Sequence, residues 1–210
     1  MKSMKSDSPH RWGMIRATAA MLVGLCAAVG FAFTDEAVAA ETAARTLVEQ
    51  MVEEISTTIA QEQAPPQVIK AIEGIFTRYA DLPVIARSLL GPRARQLTSA
   101  QREAYTKAFA GYMARKYGAQ IGRFAGGRVE VMSVRPIKSF YEVRAQAFLE
   151  GQNPVSVVFL VSDRSGEARF FDMLIEGISL RITEKAEIGA MLERRRGDFD
   201  LFLADLRAAG

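Results

Sequence analysis

The chain has 210 residues, a formal net charge of +3, and one copy each of cysteine, histidine and tryptophan. So small a charge excess is a poor match for nucleic acid, which demands clustered basic charge. A single cysteine rules out an intrachain disulfide framework.

The first forty residues have the plan of an export leader. Lys2, Lys5, Arg11 and Arg16 make a basic start, and Ala17 to Phe33 is apolar and uncharged. Ala37-Val38-Ala39-Ala40 then supplies the small residues a signal peptidase needs, so export with cleavage near Ala39 or Ala40 is expected. The apolar run is shorter than the roughly 20 residues of a spanning helix and contains Gly24 and Gly30. An uncleaved anchor stays open as the alternative. Val23-Gly24-Leu25 before Cys26 is not the run of a lipoprotein cleavage site. His10, Trp12 and Cys26 all fall inside the leader, so residues 41–210 hold none of these three types. That excludes Ser-His-Asp and Cys-His nucleophiles and any cysteine or histidine zinc site from the mature chain. No metal and no cofactor is expected, and residues 41–210 suit one domain.

From Glu41 to Gln61, Leu47, Val48, Met51, Val52, Ile55 and Ile59 recur at helical spacing. Glu41 falls in the expected first turn, where negative charge suits the helix dipole. Ala64-Pro65-Pro66 ends this helix. A second is predicted from Gln67 to about Tyr79, with Ile69, Ile72, Ile75 and Phe76 on its buried stripe. Asp81-Leu82-Pro83 turns into a short helix, Val84 to Leu90, stopped by Gly91-Pro92. Thr98 and Gln101 have capping-box spacing and start the longest helix. Tyr105, Phe109, Tyr112, Met113, Tyr117, Ile121 and Phe124 line one side of it. Core packing explains such a stripe without any ligand.

Gly126-Gly127 breaks the helix before a first strand, Arg128 to Val134, which Pro136 is expected to end. Phe140 to Leu180 then holds three strand-like runs, punctuated by Gly151-Gln152-Asn153-Pro154 and Asp163-Arg164-Ser165-Gly166. Tyr141, Val143, Ala145, Ala147 and Leu149 fall on one face of the first run, and Val155, Val157, Phe159 and Val161 on one face of the next. The small Ala145 and Ala147 either let a helix pack closely or leave room for a guest. After Glu176-Gly177, Ser179 caps a helix to about Arg194, and Gly197 precedes a last helix carrying Phe199, Phe202, Leu203 and Leu206. Helices, then four strands, then helices make an α+β chain rather than a doubly wound one.

No strong catalytic motif is present: there is no P-loop, no G-x-G-x-x-G after a strand and no H-E-x-x-H. Asp172 interrupts an apolar strand. It is a base in a cavity, a partner of Arg144, or a solvent-facing residue. Positive charge gathers at Arg87, Arg93, Arg95 and Arg102, and again at Arg115, Lys116, Arg123 and Arg128. Either group suits an anionic head group or an acidic partner, or is an ordinary solvated surface.

Three segments together carry a family resemblance. They are Leu82-Pro83-Val84-Ile85-Ala86-Arg87-Ser88-Leu89-Leu90-Gly91, then Leu97-Thr98-Ser99-Ala100-Gln101-Arg102 leading to Phe109, then Phe171-Asp172-Met173-Leu174-Ile175-Glu176-Gly177-Ile178-Ser179-Leu180. The chain resembles the MlaC family, also described as the toluene-tolerance auxiliary family. The resemblance implies a periplasmic, non-enzymatic lipid carrier in which a helical layer covers a curved antiparallel four-stranded sheet, with acyl chains between them. It also implies exchange of a phospholipid or related lipid with an inner-membrane ABC transporter complex, and an outer-membrane lipoprotein complex as a further partner. Departures such as Pro92-Arg93-Ala94-Arg95 after Gly91 leave a hopanoid-type lipid as an alternative cargo. No catalytic residue carries over. The chain's own pattern nominates Phe76, Leu89, Phe109, Val143, Ala145, Val157, Phe159 and Ile175 as the lining. Two rival readings remain: a periplasmic enzyme of a cone-shaped fold using Asp172 and Tyr141, and an adaptor with a solid core.

Overall fold

The computed structural model describes residues 20–61, 64–121 and 126–210, with side chains from residue 36 onward apart from Ala119. Arg123, Phe124, His10, Trp12 and the basic start of the leader lie outside the described residues, as does the side chain of Cys26. The chain divides into two compact units, Met1–Ala39 and Ala40–Gly210. The cavity described below lies in the second.

Among the described residues, six α-helices and five strands follow one another in the order expected of an α+β chain: α1 (Ala20–Ala60), α2 (Pro65–Tyr79), α3 (Leu82–Leu90), α4 (Ser99–Ile121), β1 (Arg128–Ile137), β2 (Phe140–Phe148), β3 (Val155–Ser162), β4 (Arg169–Ile175), β5 (Ile178–Ser179), α5 (Leu180–Arg194) and α6 (Phe199–Ala208). A 3-10 turn, Gly91–Gln96, joins α3 to α4. The first helix is continuous back to Ala20, so Glu41 sits within it rather than in its first turn. The capping box at Thr98 forms as its spacing predicts: the Thr98 amide donates to Gln101 Oε1 at 2.9 Å and the Gln101 amide to Thr98 Oγ1 at 3.2 Å.

The sheet is an antiparallel meander in the order β1-β2-β3-β4-β5. Pro136 does not end β1, which continues to Ile137. An edge strand tolerates proline, because an amide on its free side has no ladder bond to lose. The fifth strand is a two-residue hairpin return that the four-stranded expectation missed. Glu176 (φ 49°) and Gly177 (φ 79°) form its turn, and Ile175 faces Ile178 across it. Two successive positive-φ residues make the tight hairpin turn whose twist matches the strands. A Cβ on Gly177 would meet nothing within 4 Å. Gly177→Ala is therefore expected to cost about 1–2 kcal/mol through backbone conformation alone, read as a lower denaturant midpoint with unchanged slope.

Register shifts bend the sheet in two places, between Val131 and Ser133 in β1 and opposite Leu160–Val161 in β4. An extra residue in one strand kinks it and raises the local twist, so these bulges bend the sheet. Val143, Ala145, Ala147, Phe159 and Val161 are buried on the concave face, while Arg144 and Ser156 on the other face are exposed. The helices cover that concave face. α4 packs on α2, α3 and α6, and α3 on α5 and β4. Polar stitches fasten the layers. The Asp81 amide donates to the Phe170 carbonyl at 2.8 Å, and Arg169 donates to the last carbonyls of α2, at Thr77 and Arg78. Arg45 on α1 reaches the Val131 carbonyl at 3.3 Å.

Candidate functional site

The helical layer and the sheet do not close on each other everywhere. Between them lies a cavity of about 350 Å³. Its helical wall is Met51, Ile55 and Ile59 of α1, Phe76 of α2, Leu82 and Ile85 of α3, and Phe109, Met113 and Ile121 of α4. Met51, Ile55 and Ile59 are spaced by four, so they stand one above another on a single face of α1. Its sheet wall is Val129, Ala147, Val157, Phe159, Phe170, Met173 and Ile175.

Five of the nominated residues come together here: Phe76, Phe109, Val157, Phe159 and Ile175. Leu89, Val143 and Ala145 do not line the cavity. All three are buried, at 3 %, 0 % and 2 % exposure, within the closed part of the core. Val143 and Ala145 share their strand face with Ala147, but only Ala147 reaches the open end. Met51, Ile55, Ile59, Met113 and Ile121 were legible as stripes of their helices, but nothing in one helix's periodicity says which part of its stripe meets a void.

The cavity's ends differ. Phe159, Phe170, Leu82 and Ile85 form an apolar end. At the other end several elements begin or stop together. Arg128 opens β1 opposite Phe148, the last residue of β2, and Val157 pairs with Ile175, the last of β4. α4 ends at Ile121, which lines the cavity. The polar lining is spread along the space: Gln120, Tyr117 and Arg128, Ser56 of α1, and Arg181 and Glu184 of α5, with Arg181 beside Asp172, which pairs with Leu160 next to Phe159.

Asp172 lines the cavity and is buried at 5 % exposure. Of the three roles the sequence left open, it does not take the pairing with Arg144, which instead donates to Glu142 at 2.7 Å on the outer face. Asp172 organises the start of α5. Its carboxylate accepts from Ser179 Oγ at 2.7 Å, from the Arg181 amide at 3.1 Å and from the Met173 amide at 2.8 Å, and Arg181 Nε lies 3.4 Å away. These three hydrogen bonds fasten the carboxylate to the first turn of α5. Tyr141, the partner named for it in the enzyme reading, does not line the cavity.

A second polar cluster closes the wall between α4 and α5. Glu184, 1 % exposed, accepts from Tyr112 Oη (2.9 Å), Tyr117 Oη (2.5 Å) and Lys116 Nζ (2.7 Å). Lys116 Nζ also donates to Tyr112 Oη at 2.9 Å and to Glu187 at 2.5 Å. Burial pulls the Lys116 ammonium down, but hydrogen bonds to Glu184, Glu187 and Tyr112 outweigh it and raise its pKa. The hydrogen bond from Lys116 is the main reason that Glu187 is lowered. Desolvation is the main reason that Tyr112 and Tyr117 are raised. The basic group anticipated around Arg115 is therefore largely engaged within the fold. Arg115 caps α6 through the Leu206 and Ala209 carbonyls, Lys116 neutralises Glu184, and Arg128 donates to Glu130 at 2.6 Å and stacks on the Phe148 ring. Arg87, Arg93, Arg95 and Arg102 are exposed and away from it. Sequence reasoning missed Glu184 and Arg181. A charged residue at helical spacing from Leu180 and Ile188 reads as solvated until the neighbouring helix is in place.

Among the described residues no helix is long and apolar enough to cross a membrane. Residues 45–208 match the model of the MlaC protein family. The fold is similar to that of the phospholipid-binding protein from Ralstonia solanacearum, whose structure in complex with a phospholipid was solved at 1.53 Å. The TM-score is 0.66 and the identity 19 %, over 78 % of this chain and 98 % of that one. At that identity the likeness speaks for the fold, a helical layer on an open antiparallel sheet. The family match spans every residue from Met51 to Glu184 that walls the cavity, and the chain belongs to the MlaC family.

Proposed function

We propose that this protein is a periplasmic lipid carrier that encloses the acyl chains of a phospholipid and exchanges it with an inner-membrane ABC transporter complex. The observation that carries this reading is the apolar cavity of about 350 Å³ between sheet and helices. At roughly 24 cal/mol per Å³, an empty void of that size would cost on the order of 8 kcal/mol. That rivals the whole stability of an ordinary domain, about 5–15 kcal/mol. Roughly ten methylenes inside would return about 8 kcal/mol, at about 0.8 kcal/mol each. An oily guest thus converts a defect into a binding site. The Ralstonia protein, which has a similar fold and was solved with a phospholipid bound, supports a phospholipid as the cargo. Membership of the MlaC family supports the periplasm, transport rather than catalysis, and the membrane complexes as partners.

Residues 1–40 serve in this reading as a cleaved leader and residues 41–210 as the lipid-binding domain.

Native mass spectrometry of protein recovered from the periplasm of its own host tests the proposal. The expected spectrum shows the chain without its first 39 or 40 residues, carrying a phospholipid mass. A hopanoid mass in its place would reassign the cargo. Repeated recovery of empty protein would overturn the carrier. Ala147→Phe sharpens the test, because a phenyl ring at this lining position fills space that a tail would occupy. The variant is expected to fold and to retain about ten-fold less lipid, a loss of roughly 1.4 kcal/mol or more. Undiminished lipid in the folded variant would place the guest elsewhere.

A further inference from the structure

Residues 41–210 hold five methionines, and three of them, Met51, Met113 and Met173, line the cavity. They come from three separate elements, α1, α4 and β4. The other two lie elsewhere. Met132, at the bulge in β1, is 55 % exposed, and Met191 is 3 % exposed within the closed core. Met113 follows Phe109 by four residues on α4, and Met173 pairs with Phe159 across β3 and β4; both neighbours also line the cavity. Met113 and Met173 are half-buried, whereas Met51 is 3 % exposed. An acyl chain in the cavity covers these two thioethers. An empty cavity leaves them within reach of a small solute.

A thioether has two contrary states. Reduced, it is apolar, flexible and polarizable, and moulds itself to an irregular guest. Oxidised to the sulfoxide, it is polar and its oxygen needs a donor. Phe109, Phe159 and Ile175 beside these sulfurs offer none from their side chains, and neither does an acyl chain. A sulfoxide beneath a lipid tail is therefore a buried, unpaired acceptor, which is costly.

We propose that Met113 and Met173 form an oxidation site that is open in the empty carrier, closed in the loaded one, and blocks lipid uptake once modified. The oxidant is a peroxide. Its O–O bond breaks, one oxygen bonds to sulfur, and the other leaves as water with both hydrogens. The sulfur loses two electrons and the peroxide gains them. Sulfoxides are reduced back enzymatically, so the block is reversible. The inference rests on the carrier reading and deepens it, since it makes loading depend on redox state.

Protein recovered with its lipid, and the same protein stripped of lipid in detergent, are treated with hydrogen peroxide, and peptide mass mapping reads the sulfoxide at each methionine. Met132 should oxidise equally in both forms and Met191 in neither. Met113 and Met173 should oxidise at least about ten-fold faster in the stripped protein, since a guest that fills nine sites in ten leaves about one in ten open. Stripped protein, treated or untreated, is then offered phosphatidylglycerol in detergent, and native mass spectrometry reads uptake. Oxidation should lower uptake about ten-fold or more, the effect of one unpaired polar group under a tail. A variant carrying Met113→Leu and Met173→Leu nearly conserves side-chain volume, and peroxide should not reduce its uptake below its own untreated level. If that variant does not fold, the wild-type contrast of Met113 and Met173 with Met132 decides alone. Equal oxidation of the two in loaded and stripped protein, undiminished uptake after oxidation, or the same loss in the double variant overturns the oxidation site while leaving the carrier intact. Loss of the helical circular dichroism signal in the oxidised wild type would show general damage and would also overturn it. Untreated stripped protein that takes up no phospholipid overturns the carrier itself.

Discussion

Glu184→Ala should lower the free energy of unfolding by about 3–5 kcal/mol, the usual consequence of removing one partner from a buried ion pair. The wild-type carboxylate is 1 % exposed and accepts from Lys116, Tyr112 and Tyr117. The substitution strands all three donors. Tyr112 is as deeply buried as Glu184 and keeps only Lys116 as a partner. It also opens a small void beside the cavity, since Glu184 lines that wall. For a domain of this size the melting temperature should fall by roughly 6–20 °C. Thermal unfolding followed by circular dichroism measures it. A fall of under about 2 °C, the least that 1 kcal/mol produces at this size, would mean that the cluster is solvated in solution and does not hold α4 to α5. Exchange of the same residue for a well-packed apolar side chain together with Lys116→Met should be far less damaging, because no charge is then left unpaired.

Steep alkaline unfolding is the second large effect. Tyr105 is raised well above its ordinary value of 10.0 by burial, with the negative charge of Glu184 adding to it. Its hydroxyl has no hydrogen-bond partner in the core. Tyr112 is raised first by burial and then by Glu184, against the opposing pull of Lys116. Groups with raised folded pKa values stabilise the fold fully below their unfolded pKa and lose that contribution as pH climbs toward the folded value. The unfolded chain releases these protons near pH 10 while the folded chain keeps them. Each such proton removes about 1.4 kcal/mol per pH unit, so the two fully buried tyrosines together remove roughly 3 kcal/mol per unit. Tyr117 and Lys116 shift in the same direction and add less, because they are partly solvated. At roughly 3 kcal/mol per unit, a fold at the lower end of the usual 5–15 kcal/mol should therefore give way about two units above pH 10. Tyrosinate absorbance and circular dichroism recorded together give the answer. Tyr105, Tyr112 and Tyr117 should ionise only as the helical signal disappears. Ionisation of every tyrosine near pH 10 in a still-folded protein would show that the interior admits water. On the acid side the effect is small. Glu187 is lowered by Lys116, so it stabilises the fold above its ordinary 4.5 and loses that as pH falls, but it is largely exposed.

Much of the architecture was written along the chain. The alternation at Tyr141–Leu149 and Val155–Val161 placed two strands and their inner faces. Thr98 with Gln101, Ser179 and the Gly91-Pro92 pair marked helix ends, and the order of elements settled the α+β class. These are local signals, each set by backbone sterics or by a side chain reaching its own neighbouring amide, so a short window contains all the physics they need. What the chain did not disclose depended on elements far apart in sequence. Leu89, Val143 and Ala145 look as apolar as Phe76 or Phe159, and only the placing of the helical layer separates core from cavity wall. Glu184 and Arg181 look like ordinary surface charges on a helix. Their roles appear once α4 brings Tyr112 and Lys116 to one, and once β4 brings Asp172 to the other. A void, and a buried charge that closes one of its walls, are properties of the space between elements. Packing at a distance decides them, because burial is a relation among residues that no single stretch of sequence contains.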